Sequence, residues 1–136
     1  MEKTQAFMIG KHMKRFKNDH ELQWNYGPIH ILGLSICNTE AENIKHNFEP
    51  RIKKINTILN IWRQRNLSLK GKITIITSLA ASLLIYPCST LVTPQSIIKE
   101  IDKMFYNFLW NGKTNKIAKN TIIRNIDEGG LKMIDF

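Results

Sequence analysis

The amino-acid sequence predicts a protein of the α+β class that is mainly α-helical. Three stretches repeat apolar residues at steps of three and four, which is typical of helices. Short runs rich in β-branched residues lie before and after these stretches and indicate strands. The chain has 136 residues, 43% of them hydrophobic and 23% charged, which allows one hydrophobic core. We therefore expect an N-terminal β-hairpin, a three-helix layer and a C-terminal β-hairpin.

Two strand-like runs predict the N-terminal hairpin. The first covers residues 4–9 and the second covers residues 29–36. Gly33 inside the second run indicates a bulge or a close approach by another backbone. We expect the two runs to pair with each other.

The first predicted helix carries an apolar stripe that faces the core. Its members are Ile44, Phe48, Ile52, Ile55, Leu59 and Trp62. Their spacing places them on one side of a helix. Pro50 either kinks this helix or occupies the first turn of a helix that begins near Asn47.

Two further helices are predicted from their end signals. Ser68 is a suitable N-cap for the second helix, which is apolar on nearly all sides and should be the most buried element. Thr93-Pro94 indicates the start of the third helix, and Asn111-Gly112 indicates a left-handed end.

The run from Ile73 to Ile98 has no charged residue, so its length raises the question of a transmembrane helix. Pro87 would leave about 15 residues of helix before it, fewer than the ~20 that cross a bilayer. We therefore expect a buried core helix followed by a turn.

After the third helix, residues 121–123 and 131–134 are predicted to form the C-terminal hairpin, joined through Gly129-Gly130.

The charge distribution predicts an anionic partner. Twenty Lys and Arg residues against eleven Asp and Glu residues give a net charge of +9. One cluster comprises Lys45, Arg51, Lys53, Lys54, Arg63, Arg65, Lys70 and Lys72, opposed by Glu49; a second comprises Lys113, Lys116, Lys119 and Arg124. Because the apolar stripe faces the core, we expect the cations of the first helix to project together into solvent. Such a surface suits a phosphate backbone, and the near absence of acids argues against an ordinary solvated face.

The sequence gives no indication of catalysis. The aspartates, which are Asp19, Asp102, Asp127 and Asp135, are scattered and do not form the paired arrangement that two-metal chemistry needs. The histidines and cysteines have no metal-ligand spacing, and neither a phosphate-binding glycine loop nor a nucleophile elbow is present. Cys37 and Cys88 are far apart, which fits a reducing compartment. With no secretory signal visible, we expect an intracellular protein of the cytoplasm or nucleus.

Several short phrases follow one another along nearly the whole chain. They are Lys3-Thr4-Gln5-Ala6-Phe7, Leu32-Gly33-Leu34, Asn47-Phe48, Trp62, the run from Leu67 to Ile73, the run from Phe108 to Lys113, Ile117-Ala118-Lys119 and Gly129-Gly130-Leu131. Their order and spacing along the chain carry the resemblance. Together they resemble the reverse transcriptases of non-LTR (LINE-type) retrotransposons, in the stretch just after the catalytic centre.

The resemblance implies a division into three parts. Residues 1–38 would be the end of the palm and the primer-grip hairpin, residues 39–112 a helical thumb-like domain, and residues 113–136 the start of the linker. The family's catalytic aspartates, which bind Mg²⁺, lie upstream of this stretch and have no counterpart here. We therefore expect no activity and no cofactor in this chain by itself, and interpret it as a truncated or decayed copy or a fragmentary gene model.

The resemblance also implies roles for individual residues. Lys3 matches a palm lysine near the incoming nucleotide, and Leu32 and Gly33 match the primer grip, where glycine lets the backbone approach the primer. The residues expected to contact nucleic acid are Leu32, Gly33, Arg51, Lys54, Arg63, Arg65, Lys70, Lys72 and Lys113. The expected partners are an RNA–DNA or RNA template–primer duplex, and the palm and fingers if these exist elsewhere, but no membrane. Two alternatives stay open: an inert relic or protein-interaction module that exposes the apolar face left by the missing palm, and a membrane-associated helical protein.

Overall fold

A computed structural model describes residues 5–7, 23–25 and 27–136 of the chain. The chain divides into two compact units, residues 1–49 and residues 50–136. Short strands and the first helical turns belong to the first unit, and longer helices make up most of the second. The predicted α+β class with mainly helical content is confirmed.

The first unit contains two pairs of short strands. Strands β1 (Gln5–Phe7) and β2 (Gln23–Asn25) run parallel, with Ala6 opposite Trp24. Strands β3 (Ile29–Ile31) and β4 (Leu34–Ile36) form an antiparallel hairpin.

The prediction that the two N-terminal runs pair with each other is wrong. The run 29–36 is not one strand beside the run 4–9, because it folds back on itself as β3 and β4. Leu32 and Gly33 form the turn, with φ angles of 50° and 80°. Two consecutive residues with positive φ are what a tight two-residue hairpin turn requires. Gly33 therefore lies in the hairpin turn and does not form a bulge.

A helical stretch begins at the N-cap Thr39 and continues to residue 63. It consists of α1 (Glu40–Asn43), a π-helical turn (Ile44–Phe48) and α2 (Glu49–Arg63). Pro50 lies in the first turn of α2, directly after the π turn. Proline has no N–H to donate to the carbonyl four residues earlier, and the π turn directly before it is where this continuous helical stretch departs from the regular α-helical hydrogen-bond pattern.

The predicted apolar stripe of α2 is confirmed. Ile52, Ile55 and Leu59 are buried, and Trp62 is half-buried. These side chains contribute to the core of the second unit, together with residues of the later helices.

The second helix begins at its predicted cap. The backbone N–H of Gly71 donates to the Ser68 hydroxyl oxygen over 3.1 Å. The helix consists of α3 (Leu69–Ile75), a π-helical segment (Ile76–Ala81) and α4 (Ser82–Thr90). The prediction that Pro87 ends it is wrong, since Pro87 lies inside α4 and is fully buried. Burial of the ring compensates for the single hydrogen bond that its missing N–H costs.

One side of this second helix remains exposed. Leu79, Ile85 and Tyr86 are 39%, 50% and 44% exposed, so the helix is not buried all round as expected. Within the described part of the chain, the segment Leu69–Thr90 is the one helix long and apolar enough to cross a membrane, with a mean hydropathy of 1.6 over 22 residues. Core helices of soluble proteins meet the same criterion of length and composition.

The third helix is confirmed at both ends. Helix α5 (Gln95–Trp110) follows Pro94, and Asn111 ends it with a φ of 52°. Gly112 continues in the left-handed region with a φ of 75°. Ile101, Phe105 and Phe108 are fully buried.

The predicted C-terminal hairpin is wrong. Residues 121–123 belong to a short helix, α6 (Lys119–Ile123), which is followed by a 3₁₀ turn (Ile126–Glu128). The tail nevertheless folds back: the N–H groups of Leu131 and Met133 both donate to the carbonyl oxygen of Ile122. Burial of Ile122 outweighs the strand preference of this β-branched run.

Candidate nucleic-acid interface

The first predicted contact is the hairpin tip, where Leu32 is exposed and strained. Its side chain is 84% exposed, and its φ of 50° lies in the left-handed region. That region costs a branched L-residue about 1–2 kcal/mol. Lys3, the predicted palm lysine, lies outside the described residues.

The hairpin is held by a buried asparagine that the residue pattern did not predict. Asn47 Oδ1 accepts from the Ser35 N–H at 2.8 Å, and Asn47 Nδ2 donates to the Ser35 carbonyl oxygen at 2.7 Å. Asn47 also donates to Asn43 Oδ1 at 2.8 Å. The paired bonds fix β4 to the helical turn that carries Asn47. The available signal in the sequence was the phrase Asn47-Phe48, which belongs to the resemblance described above.

The cations of α2 do not share one face, which corrects the expectation that they project together. Lys53, Lys54 and Arg63 are all exposed. Each residue of an α-helix is turned by about 100° from the previous one, so Lys54 and Arg63 point about 180° apart. Arg51 is half-buried. The length of α2 therefore does not form a basic stripe.

Lys72 also differs from its prediction because its ammonium group is buried. Its Nζ donates to the Leu109 carbonyl oxygen at 3.0 Å and to Asn111 Oδ1 at 2.8 Å. It also lies 5.8 Å from the centre of the Phe108 ring. These partners belong to the C-terminal end of α5, where carbonyl groups lack helical donors. Lys72 therefore caps a helix and is not a surface cation.

Arg63 lies close enough to Lys72 to affect its protonation. Burial of the Lys72 side chain lowers its pKa, and the positive charge of Arg63 lowers it further. The end of α2 and the start of α3 thus bring like charges together. Nearby, the guanidinium of Arg65 lies over the Trp62 ring, 5.3 Å from its centre.

The two basic clusters of the sequence meet at a cavity of about 420 Å³ in the second unit. Leu67 reaches it from the turn before α3, and Leu69 and Lys72 reach it from α3 itself. Lys113 and Lys116 reach it from the loop after α5. None of the described residues that line the cavity is acidic.

Lys119, which belonged to the second predicted cluster, is neutralised. Its Nζ lies 2.6 Å from Asp102 Oδ2 and 2.7 Å from Asp135 Oδ1. Burial alone would lower the pKa of Lys119, but the hydrogen bonds and charges of the two carboxylates raise it well above its usual range. This group joins the tail to α5 and contributes little to the positive surface.

Two exposed cations, Lys113 and Lys116, line the cavity. Three more belong to the segment from the end of α2 to the start of α3, which supplies Leu67, Leu69 and Lys72 to the cavity; they are Arg63, Arg65 and Lys70. We call these five cations the basic rim. Within residues 27–136, none of these five side chains forms an ion pair with a carboxylate. Of the rim, Lys116 was not among the predicted contacts, although it belonged to the second charge cluster.

No group of three or more His, Cys, Asp or Glu side chains that could hold a metal ion comes together among the described residues. Asp102 and Asp135 approach each other, but both bind Lys119. Cys37 and Cys88 are free thiols whose pKa values are raised, chiefly by burial.

No protein-family model matches the chain. A stretch of 78 residues is 28% identical to part of a protein from Arabidopsis thaliana that is named, provisionally, a ribonuclease H protein. The match covers 57% of this chain and 13% of the Arabidopsis protein. The chain is thus similar to a small part of a much longer protein.

Proposed function

We propose that the chain corresponds to the palm end, thumb and start of the linker of a non-LTR retrotransposon reverse transcriptase. In this proposal it holds the sugar-phosphate backbone of an RNA–DNA or RNA template–primer duplex, inside the cell, without reading sequence. The polymerase active site would lie in a palm outside this stretch. The chain itself would bind the duplex and would take no part in the reaction.

The basic rim is the observation that carries the proposal. Its exposed cations come from four places in the chain, namely the end of α2, the turn before α3, the first turn of α3 and the loop after α5. No carboxylate of the described residues pairs with them, so they keep their charge for an external anion. Lysine and arginine side chains that neutralise phosphates release counterions and bind any sequence alike.

Two further observations support the proposal. The hairpin tip at Leu32 and Gly33 projects an exposed leucine from a tight turn, and the family resemblance assigns a primer-grip role to these residues. The Arabidopsis relative is named a ribonuclease H protein, and ribonuclease H domains are often fused to retrotransposon reverse transcriptases.

The test is a salt titration of binding to a fluorescent RNA–DNA hybrid. The logarithm of the association constant should fall linearly with the logarithm of salt concentration, because cations are displaced from phosphates. The double variant Arg63→Gln/Lys70→Gln should make that slope shallower by about two, or about one per lost phosphate contact. Hybrids of different sequence should bind alike.

The matched control is Lys53→Gln/Lys54→Gln, which removes the same charge from exposed positions on α2 away from the rim. The control should change the slope by less than half as much. Equal effects of the two double variants would mean that net charge alone attracts the hybrid. Binding that ignores salt, or no binding at all, would also reject the proposal.

A second candidate function is association with another protein through the exposed side of the segment Leu69–Thr90. Leu79, Ile85 and Tyr86 expose apolar surface on this helix. Apolar patches on a protein surface often mark interaction sites. Light scattering after size exclusion tests this, since the candidate predicts an oligomer that Leu79→Ser/Ile85→Ser converts to a monomer.

Membrane association is the third candidate, and the continuous helix across Pro87 is what favours it. The candidate predicts that the chain floats with lipid vesicles and needs detergent to stay in solution. A monodisperse sample without detergent would reject it.

A further inference from the structure

The cavity beside the basic rim combines apolar and cationic walls. Leu67, Leu69 and Ile117 line it with apolar side chains, while Lys113 and Lys116 bring ammonium groups to it. Its volume of about 420 Å³ lies within the range of small-molecule sites, roughly 300–1,000 Å³. The walls therefore suit a ligand with one flat apolar part and one anionic part.

The buried ammonium group of Lys72 adds a directed donor to this cavity. Two of its three N–H groups are used by the Leu109 carbonyl oxygen and Asn111 Oδ1. The third is left for an acceptor, because a lysine ammonium has three donors and the two bonds occupy two of them. Lys72 lines the cavity, so an anion there would meet a fixed charge as well as the mobile lysines.

Trp110 is a further residue of the cavity wall. The residue is 8% exposed, and its indole Nε1 has no hydrogen-bond acceptor among the described residues. A buried donor without a partner is rare and costly in folded proteins. The Trp110 side chain therefore contributes its ring to the wall, while its Nε1 is not open to the space of the cavity.

We propose that this cavity holds one unpaired nucleotide of a nucleic-acid strand. The base would lie against Leu67, Leu69 and Ile117, and the adjoining phosphate would contact Lys113 and Lys116. This inference rests on the proposed duplex binding and deepens it, because it gives the rim a preference for strand ends or unpaired positions. Binding of a base to an apolar or aromatic surface tolerates any sequence.

The first experiment compares an RNA–DNA hybrid with flush ends and the same hybrid with one unpaired nucleotide. The unpaired form should bind about tenfold more tightly, which is near the low end of what one base gains on an aromatic surface, because this wall is aliphatic. Leu69→Trp should fill the cavity and abolish the tenfold preference. Leu79→Trp adds the same bulk at an exposed position of the same helix and should keep the preference.

The second experiment uses adenosine 5′-monophosphate as a probe, with tryptophan fluorescence as the readout. The wild-type chain should show a saturable change that Trp110→Phe removes and Lys116→Gln weakens several-fold. The Lys116 variant changes an exposed side chain, so it keeps the test valid if Leu69→Trp does not fold. Urea unfolding of each variant checks folding.

The outcomes separate the two proposals. Salt-dependent duplex binding without a preference for the unpaired nucleotide would overturn the nucleotide site and leave the duplex proposal standing. Binding of the mononucleotide without duplex binding would overturn the duplex proposal and leave the nucleotide site standing. The inference is overturned if the chain does not respond to the mononucleotide and if Leu69→Trp leaves the binding of the two hybrids unchanged.

Discussion

Replacing Lys72 with methionine tests whether this lysine caps α5. Methionine keeps the length of the side chain and removes the ammonium group. The Leu109 carbonyl oxygen and Asn111 Oδ1 would both lose a charged donor, now at 3.0 and 2.8 Å. Each lost bond costs about 1–1.5 kcal/mol, and the relief of burying a charge beside Arg63 offsets part of that cost. We expect a net loss of about 1–2 kcal/mol in the free energy of unfolding.

The assay is equilibrium unfolding in urea, and the matched control is Lys70→Met. Lys70 is exposed and lies two residues before Lys72 on the same helix. Its replacement should change stability by no more than about 0.5 kcal/mol. The m-values should be equal, so that the midpoints report stability. If the two variants were equally stable, the helix-cap role of Lys72 would be refuted.

The pH dependence of the same two proteins gives a second measure. Because the pKa of Lys72 is lower in the folded chain, the unfolded chain binds more protons in the window just below the usual value of 10.5. Stability conferred by this group therefore rises with pH through that window. The Lys72→Met chain lacks this rise, whereas Lys70→Met keeps it.

Three further predictions concern the turns and the tail. Gly130→Ala should lower the free energy of unfolding by about 2–4 kcal/mol, because the added Cβ would meet the backbone of Arg124. Gly129→Ala should lower it by about 1–2 kcal/mol, because alanine is strained at a φ of 78°. The urea midpoints of the two variants measure the difference. Leu32→Asn should raise stability by about 1 kcal/mol, because asparagine tolerates positive φ; the check is slower hydrogen exchange in the hairpin. Lys119→Met should cost about 1 kcal/mol by leaving its two aspartates facing each other, and the cost should shrink in high salt; thermal melts at two salt concentrations measure it.

The helices could be predicted from the sequence because local signals and burial agree in them. The Ser68 cap, the buried Ile55 stripe and the left-handed end at Asn111 all follow from short-range chemistry. The errors fall where burial decides against a local signal. Pro87 stays inside a helix because its ring is buried, and Ile122 turns helical because the core takes its side chain.

The interface was harder to predict than the fold, because a charge count does not give directions. Lys54 and Arg63 belong to one run of cations, yet they point to opposite sides of α2. Conversely, Lys72 and Lys116 are far apart in sequence but line the same cavity. Only the packing of α3 against α5 could reveal that proximity.

The buried Lys72 influences the rim even though it is not itself a surface cation. The C-terminal end of a helix carries a partial negative charge of about half an electron, which would repel a phosphate near Lys113. The ammonium group of Lys72 is bonded at that end of α5 and outweighs the negative charge. The electrostatic potential at the cavity is therefore set jointly by the fold and by the exposed lysines. It follows that Lys72→Met should weaken hybrid binding as much as loss of an exposed rim lysine, although the Lys72 side chain is buried.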